Sequence, residues 1–144
     1  MDNNTSIEHH VGNCQTSQLY KGILDGQSRS VFNGRVYIAQ DAQKANSEQL
    51  NNNLLFSSQA EADSKPMLEI YADDVKAAHG STVGQLSKEE LFYLQSRAIP
   101  KDKAIGMLSY GFVAEVLLKV ENEAIQQWLK TYLDKAFAGL RAEA

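Results

Sequence analysis

The stretch that decides the fold runs from Tyr71 to Leu86, YADDVKAAHGSTVGQL, and continues from Ser87 to Pro100 as SKEELFYLQSRAIP. Within it the spacing of apolar residues changes from the short β-branched and aromatic bursts of a strand to helical spacing. Ser87 followed by Glu90 forms a capping-box pattern, in which a serine oxygen accepts from an orphan N–H of the first turn and the glutamate reaches back. This predicts a helix over 88–97 and a boundary near Leu86. Just ahead of that boundary stands His79, flanked by Ala77, Ala78 and Gly80, small neighbours that leave its imidazole reachable. From residues alone, a histidine beside glycine at a turn reads as a tolerated polar residue.

Outward from this stretch, the amino-terminal half repeats one theme. Bursts occur at Ser6-Ile7-Glu8, Leu19-Tyr20, Val36-Tyr37-Ile38, Leu54-Leu55-Phe56, Leu68-Glu69-Ile70-Tyr71 and Thr82-Val83. They recur roughly every 13 to 18 residues, too close for helical crossovers and suited to a coil of stacked rungs. The expected architecture is mainly β with α: β-solenoid rungs over residues 1–86, then a small helical subdomain over 87–144. Gly12, Gly22, Gly26, Gly34, Gly80 and Gly84 are expected at the corners of the coil, and Asn51, Asn52 and Asn53 as amide caps of a buried turn.

Beyond Pro100, which suits a first helical turn, a helix is expected over 101–120 with Ile105, Leu108, Phe112, Val116 and Leu117 near one face. The last segment has the strongest periodicity. Ile125, Trp128, Leu129, Tyr132, Leu133, Ala136, Phe137 and Leu140 alternate steps of three and one, the stripe of an amphipathic helix. Burying its larger side chains is worth on the order of 10 to 20 kcal/mol before ordering costs. Packing against the preceding helices is the first expectation for that stripe, with part of it open to a partner.

Composition bounds the function. The chain has 144 residues, 43% of them hydrophobic, enough for one ordinary core or a core with a subdomain. Its net charge is -4, and its 14 basic residues are dispersed, which argues against a nucleic-acid-binding face. No apolar run reaches the length of a membrane span, and MDNNTSIEHH does not read as a secretion signal. Cys14 is the only cysteine, so an internal disulfide, a four-thiolate zinc site and a self-sufficient four-cysteine cluster site are excluded within one chain. A cytoplasmic protein is expected.

Other candidate chemistry is sparse. His9, His10 and Cys14 carry metal-ligating atoms, but adjacent strand residues point to opposite faces and no second cysteine or spaced histidine completes a set. A buried Cys14 and one solvated histidine is the favoured structural account. A Cys14 nucleophile lacks an adjacent helix start to favour the thiolate. Asp73-Asp74 offers general acid–base or magnesium chemistry, yet next to Lys76 it reads first as a solvated corner. No P-loop pattern is present, so ATP is not bound that way.

Several segments in order, VFNG (Val31–Gly34), NNNLL (Asn51–Leu55), KPMLEIYADDVK (Lys65–Lys76), the His79-Gly80-Ser81-Thr82-Val83-Gly84 run and LFYLQSRAIP (Leu91–Pro100), resemble the C-terminal part of the SufB/SufD family of iron-sulfur cluster assembly proteins, its SufD branch in particular. The resemblance covers nearly all of the chain. It implies a right-handed parallel β-helix, and a non-catalytic scaffold subunit whose ATPase is a separate chain. It also implies two partners: a SufB-like paralogue paired through the β-helix, and the SufC ATPase docked on the C-terminal helices. His79 is implied to face the partner where a transient cluster forms, with no cofactor held stably by this chain alone. An imidazole nitrogen is a competent iron ligand, as Rieske centres show. At position 77, where many such sequences have cysteine, this chain has Ala77, so the thiolate must come from the partner or from delivered sulfide. SufD-like proteins are much longer, and the strand-like start without a capping helix fits the C-terminal portion of a longer chain. The alternatives are a β-solenoid interaction module without iron chemistry, and a small hydrolase using Cys14 or the Asp73-Asp74 pair.

Overall fold

A computed structural model describes residues 1–142, with side chains described as far as Phe137, so the side chain of Leu140 in the expected stripe lies outside that description. The chain divides into two compact units, one over Met1–Gly84 and the other from Gln85 onward.

The first unit contains six strands: β1 (Asp2–His9), β2 (Gln15–Leu24), β3 (Arg29–Ile38), β4 (Asn46–Leu55), β5 (Glu61–Ile70) and β6 (Lys76–Gly84). Successive strands do not pair. The chain alternates between two parallel three-stranded sheets, β1-β3-β5 and β2-β4-β6. Every apolar burst of the sequence falls on one of these strands, Phe56 and Tyr71 standing one residue past the ends of theirs. Registers such as Asp2↔Val31 and Val31↔Asp63, or Gln15↔Asn46 and Asn46↔Lys76, bring the chain back over itself after two strands. Parallel pairing needs such a crossover, and here the crossover is the opposite sheet's strand.

The two sheets fill the space between them differently. From β3 come Phe32, Val36 and Ile38, and the latter two join Ala42, Ala45 and Ala72 in the apolar core, with Ile7, Leu68, Val75 and Ala77 packed around it. From β4 come Ser47, Gln49, Asn51 and Asn53, all buried. Buried amides stay only where they find partners. Asn53 Nδ2 donates to Asn51 Oδ1 at 3.2 Å, and Gln49 Nε2 donates to Gln18 Oε1 at 2.7 Å. The asparagine cluster is thus mid-strand and not a turn cap: Asn51 and Asn53 point inward, while outward-facing Asn52 accepts from Thr82 Oγ1.

Most of the glycines are also not where corners turn. Gly22, Gly34, Gly80 and Gly84 lie within strands, and the left-handed positions in this unit are Gly26, Asn13 and Lys44. Asn13 and Lys44 occupy equivalent corners on successive turns, bonded upward through Asn13 N→Gln43 O (2.9 Å) and Lys44 N→Asp74 O (2.6 Å). Asparagine tolerates this conformation; lysine is held there by the stacked backbone bonds. Gly34 serves close approach instead, since a Cβ there would meet the Gln49 amide.

In the second unit, α1 (Lys88–Ser96) begins at Ser87, whose Oγ accepts from Glu90 N at 3.2 Å. The expected single helix over 101–120 is shorter: α2 covers Lys101–Ala114, and a single 3-10 turn, Leu117–Lys119, follows. Asn122 caps the start of the next helix, accepting from Ile125 N at 3.1 Å, and Gln126 Nε2 donates to the Leu117 carbonyl at 2.9 Å. α3 (Glu123–Ala142) docks on α2 through Phe137, which stands edge-on to Tyr110, and through Tyr110 Oη donating to Asp134 at 3.0 Å. Its stripe is only partly covered. Phe137 is buried and Leu129 and Leu133 are half-buried, whereas Ile125, Trp128 and Tyr132 are exposed.

Candidate functional site

His79 is not at a turn. It stands in the middle of β6, an edge strand of the β2-β4-β6 sheet, directly in register with Gln49 on β4 and, beyond it, Gln18 on β2. Residues in register on parallel strands share a face, so His79 belongs to the row that points between the sheets, together with Ala77, Ser81 and Val83. Gln49 in that row is 1% exposed, yet His79 is exposed, because among the described residues no further strand pairs with β6. An imidazole at that place is anchored by a sheet and open to whatever covers it.

Beneath the histidine runs a directed chain of hydrogen bonds. Gln18 Nε2 donates to Thr5 Oγ1 at 3.0 Å, and Gln49 Nε2 donates to Gln18 Oε1 at 2.7 Å. Gln49 Oε1 is buried and has no partner. The neighbouring row holds a second chain, in which His9 Nε2 meets Thr16 Oγ1 at 3.1 Å and Thr16 donates to Ser47 at 3.0 Å. It ends in register on Ala77, which offers iron nothing.

The other sequence candidates do not converge. His9 is buried and His10 exposed, on opposite faces as strand alternation requires. His10 faces Glu8 at 3.0 Å and packs near Tyr37. Cys14 is half-buried and not fully buried as expected; its thiol lies 4.0 Å from the Gly12 carbonyl. Asp73 and Asp74 are exposed in the β5–β6 loop, where the Asp74 backbone is tied to Gln43 and Lys44. Among the described residues no three His, Cys, Asp or Glu side chains gather into a metal site.

Two features escaped sequence reading. The Gln18-Gln49-His79 row follows only from the strand register, although its members recur at an almost constant spacing. On the outer face of the β1-β3-β5 sheet, Arg35 bonds Glu69 through Nε and Nη2 and reaches Glu8 at 2.9 Å. Hydrogen bonds from Arg35 hold the Glu69 carboxyl below its ordinary range; His10 and then Arg35 do the same for Glu8, and the Arg35 guanidinium is raised in turn, chiefly by Glu69.

The first unit is thus a pair of alternating parallel sheets with an exposed histidine, His79, on the edge strand β6, and the second is a unit of three α-helices among the described residues. Residues 1–112 match the family model for the SUF system FeS cluster assembly SufBD core domain. The chain is 43% identical over 138 residues to the iron-sulfur cluster assembly protein SufD of Escherichia coli (strain K12), covering 96% of this chain and 33% of that protein. It is 39% identical over 129 residues to a SufBD family protein of Synechocystis sp., covering 90% and 28%, and 35% identical over 135 residues to SufD of Bacillus subtilis (strain 168), covering 93% and 31%. The chain spans about a third of the length of these relatives. It belongs to the SufB/SufD family of iron-sulfur cluster assembly proteins, SufD branch. No helix among the described residues is long and apolar enough to cross a membrane.

Proposed function

We propose that this chain is the C-terminal part of a SufD-like scaffold subunit that assembles iron-sulfur clusters in the cytoplasm and leaves ATP hydrolysis to a separate SufC-like chain. The observation that carries it is the placement of His79: sheet-anchored, exposed, and on the inward row of the edge strand β6. The two alternating sheets are read as rungs of a right-handed parallel β-helix, the hand that parallel crossovers favour. Its working division is residues 1–86 as β-helix and 87–144 as helical subdomain.

The cluster is cargo, held transiently. His79 supplies one nitrogen, and with Ala77 beside it the thiolates or sulfide come from a SufB-like paralogue that pairs with the open β5–β6 end of the stack. Exposed Val83 and Ile70 on that end give such a partner apolar surface to cover. The SufC-like ATPase docks on the C-terminal helices, for which the exposed Trp128 and Tyr132 of α3 are the best anchors, because large aromatics dominate protein interfaces. That open stripe is also what an interaction module without iron chemistry would use.

The deciding experiment mixes the chain with the SufB-like and SufC-like proteins of the same source. Complex formation is read by size-exclusion chromatography with light scattering, and retained iron is measured after anaerobic iron and sulfide loading. A mixed complex in which His79→Ala lowers iron retention without breaking assembly supports the proposal. A complex whose iron retention is indifferent to His79 leaves the interaction module as the reading.

A further inference from the structure

Gln49 has a chemical reason to matter to His79. Gln49 is 1% exposed, and its amide is placed with Nε2 donating to Gln18 Oε1, while Gln18 Nε2 donates in turn to Thr5 Oγ1. The orientation leaves Oε1, an acceptor, buried and unpartnered, and the residue next in register beyond it is His79. An unmet buried acceptor is costly, and stacked amides in parallel register satisfy one another by passing donor to acceptor from strand to strand. The chain Thr5–Gln18–Gln49 therefore lacks one donor at its upper end. An imidazole N–H is the only side-chain donor that the β6 partner of Gln49 can offer.

Gly34 fixes the amide from below. A Cβ at this position would press on both the nitrogen and the carbon of the Gln49 carboxamide, so only glycine lets the group lie across the β3 backbone. The acceptor is held by packing on one side and by a hydrogen bond on the other. It has little freedom to turn away.

We infer that Gln49 is the positioning residue for His79: its Oε1 accepts from one ring nitrogen, which fixes the tautomer and turns the other nitrogen, with its lone pair, outward from the end of the stack. Ligating histidines ordinarily have the second ring N–H bound in this way, which raises their basicity and fixes the ring plane. The inference rests on His79 being the iron-facing residue. It assigns to the polar filling between the sheets a role that core packing alone does not.

The test reads the ring directly, without iron. Nitrogen-15 NMR of the histidine-labelled chain, with the imidazole neutral, gives the tautomer ratio of His79. The expected result is one tautomer favoured roughly two- to tenfold over its ratio in an unstructured peptide, the bias of one ordinary hydrogen bond. Gln49→Met should return the ratio to the peptide value. Gly34→Ala, which displaces the amide and keeps it, should shift it the same way. A His79 ratio that is unchanged in a folded Gln49→Met variant overturns the inference. Should that variant not fold, the wild-type spectrum decides: a peptide-like ratio overturns the inference, and a biased ratio with a contact from the ring N–H to the Gln49 side chain supports it. Iron retention by His79→Ala, measured separately in the mixed complex, decides the reading on which the inference rests, so the two fail independently.

Discussion

Arg35 on β3 grips Glu69 on β5 with two nitrogens, Nε at 3.1 Å and Nη2 at 2.7 Å, across strands that are paired in parallel. With Glu8 on β1 bonded to the same guanidinium, one cation ties all three strands of that sheet on its outer face.

Acid should loosen the clasp. Glu69 and Glu8 have folded-state pKa values below the ordinary 4.5, so the unfolded chain binds more protons at low pH. Their contribution to stability is therefore complete above pH 4.5 and is lost as pH falls through the lowered values. Urea unfolding at about pH 6 and about pH 3.5 should show a smaller acid loss in Glu69→Gln than in wild type. An equal loss in both would mean that other carboxylates govern acid unfolding. Salt should weaken the effect, since the partners are about a third exposed.

The space under Gln49 makes a second prediction. Gly34→Ala places a methyl group against the buried amide and should cost about 1 to 3 kcal/mol, the usual penalty for overpacking. Gly84→Ala, where nothing lies within 4 Å, should stay within about 0.5 kcal/mol of wild type. Chemical denaturation of the three proteins checks both, and equal stabilities would mean that the amide simply moves aside.

What the sequence made legible follows from where information is local. Bursts such as Val36-Tyr37-Ile38, the Ser87 cap and the three-and-one stepping of α3 are written in neighbouring residues, and each was found on the expected element. The polar filling was not legible. Asn51 and Asn53 carry turn-forming side chains, and only the register of β4 between β2 and β6 shows them satisfied inside a sheet pair. Glycines misled for a related reason: close approach at Gly34 and Gly22 depends on residues far along the chain, whereas corner-turning was assumed from type. The residues around His79 do not reveal that Gln49 lies in register with it. The break after Ala114 has no proline or glycine between Phe112 and Asn122 to announce it.

The α3 stripe separates folding from docking. Phe137 is 7% exposed and edge-on to Tyr110, so Phe137→Ala should cost about 3 to 5 kcal/mol in the helical unit. Trp128 is 58% exposed, and Trp128→Ser should change stability by no more than about 0.5 kcal/mol. The same substitution should weaken binding to the SufC-like ATPase about tenfold or more if Trp128 is an anchor. Thermal unfolding by far-UV circular dichroism measures the first pair of effects and titration calorimetry the last. Unchanged affinity would remove Trp128 from the interface.

Position 77 decides whether the inward row of β6 carries one ligating side chain or two. Ala77 and His79 lie on the same strand two residues apart and on the same row, so a cysteine at 77 would put a thiolate and an imidazole on one side of β6. Ala77 is half-buried at the margin of the apolar core, and a sulfur there adds little bulk and no buried charge until metal arrives. Ala77→Cys should therefore fold normally and retain more iron than wild type after anaerobic loading and desalting of the chain alone. The gain should vanish in the Ala77→Cys, His79→Ala double variant, because the added thiolate works only with the imidazole beside it. A gain that survives loss of His79 would show that cysteine alone captures the metal, and no gain at all would show that the two side chains do not face a common point.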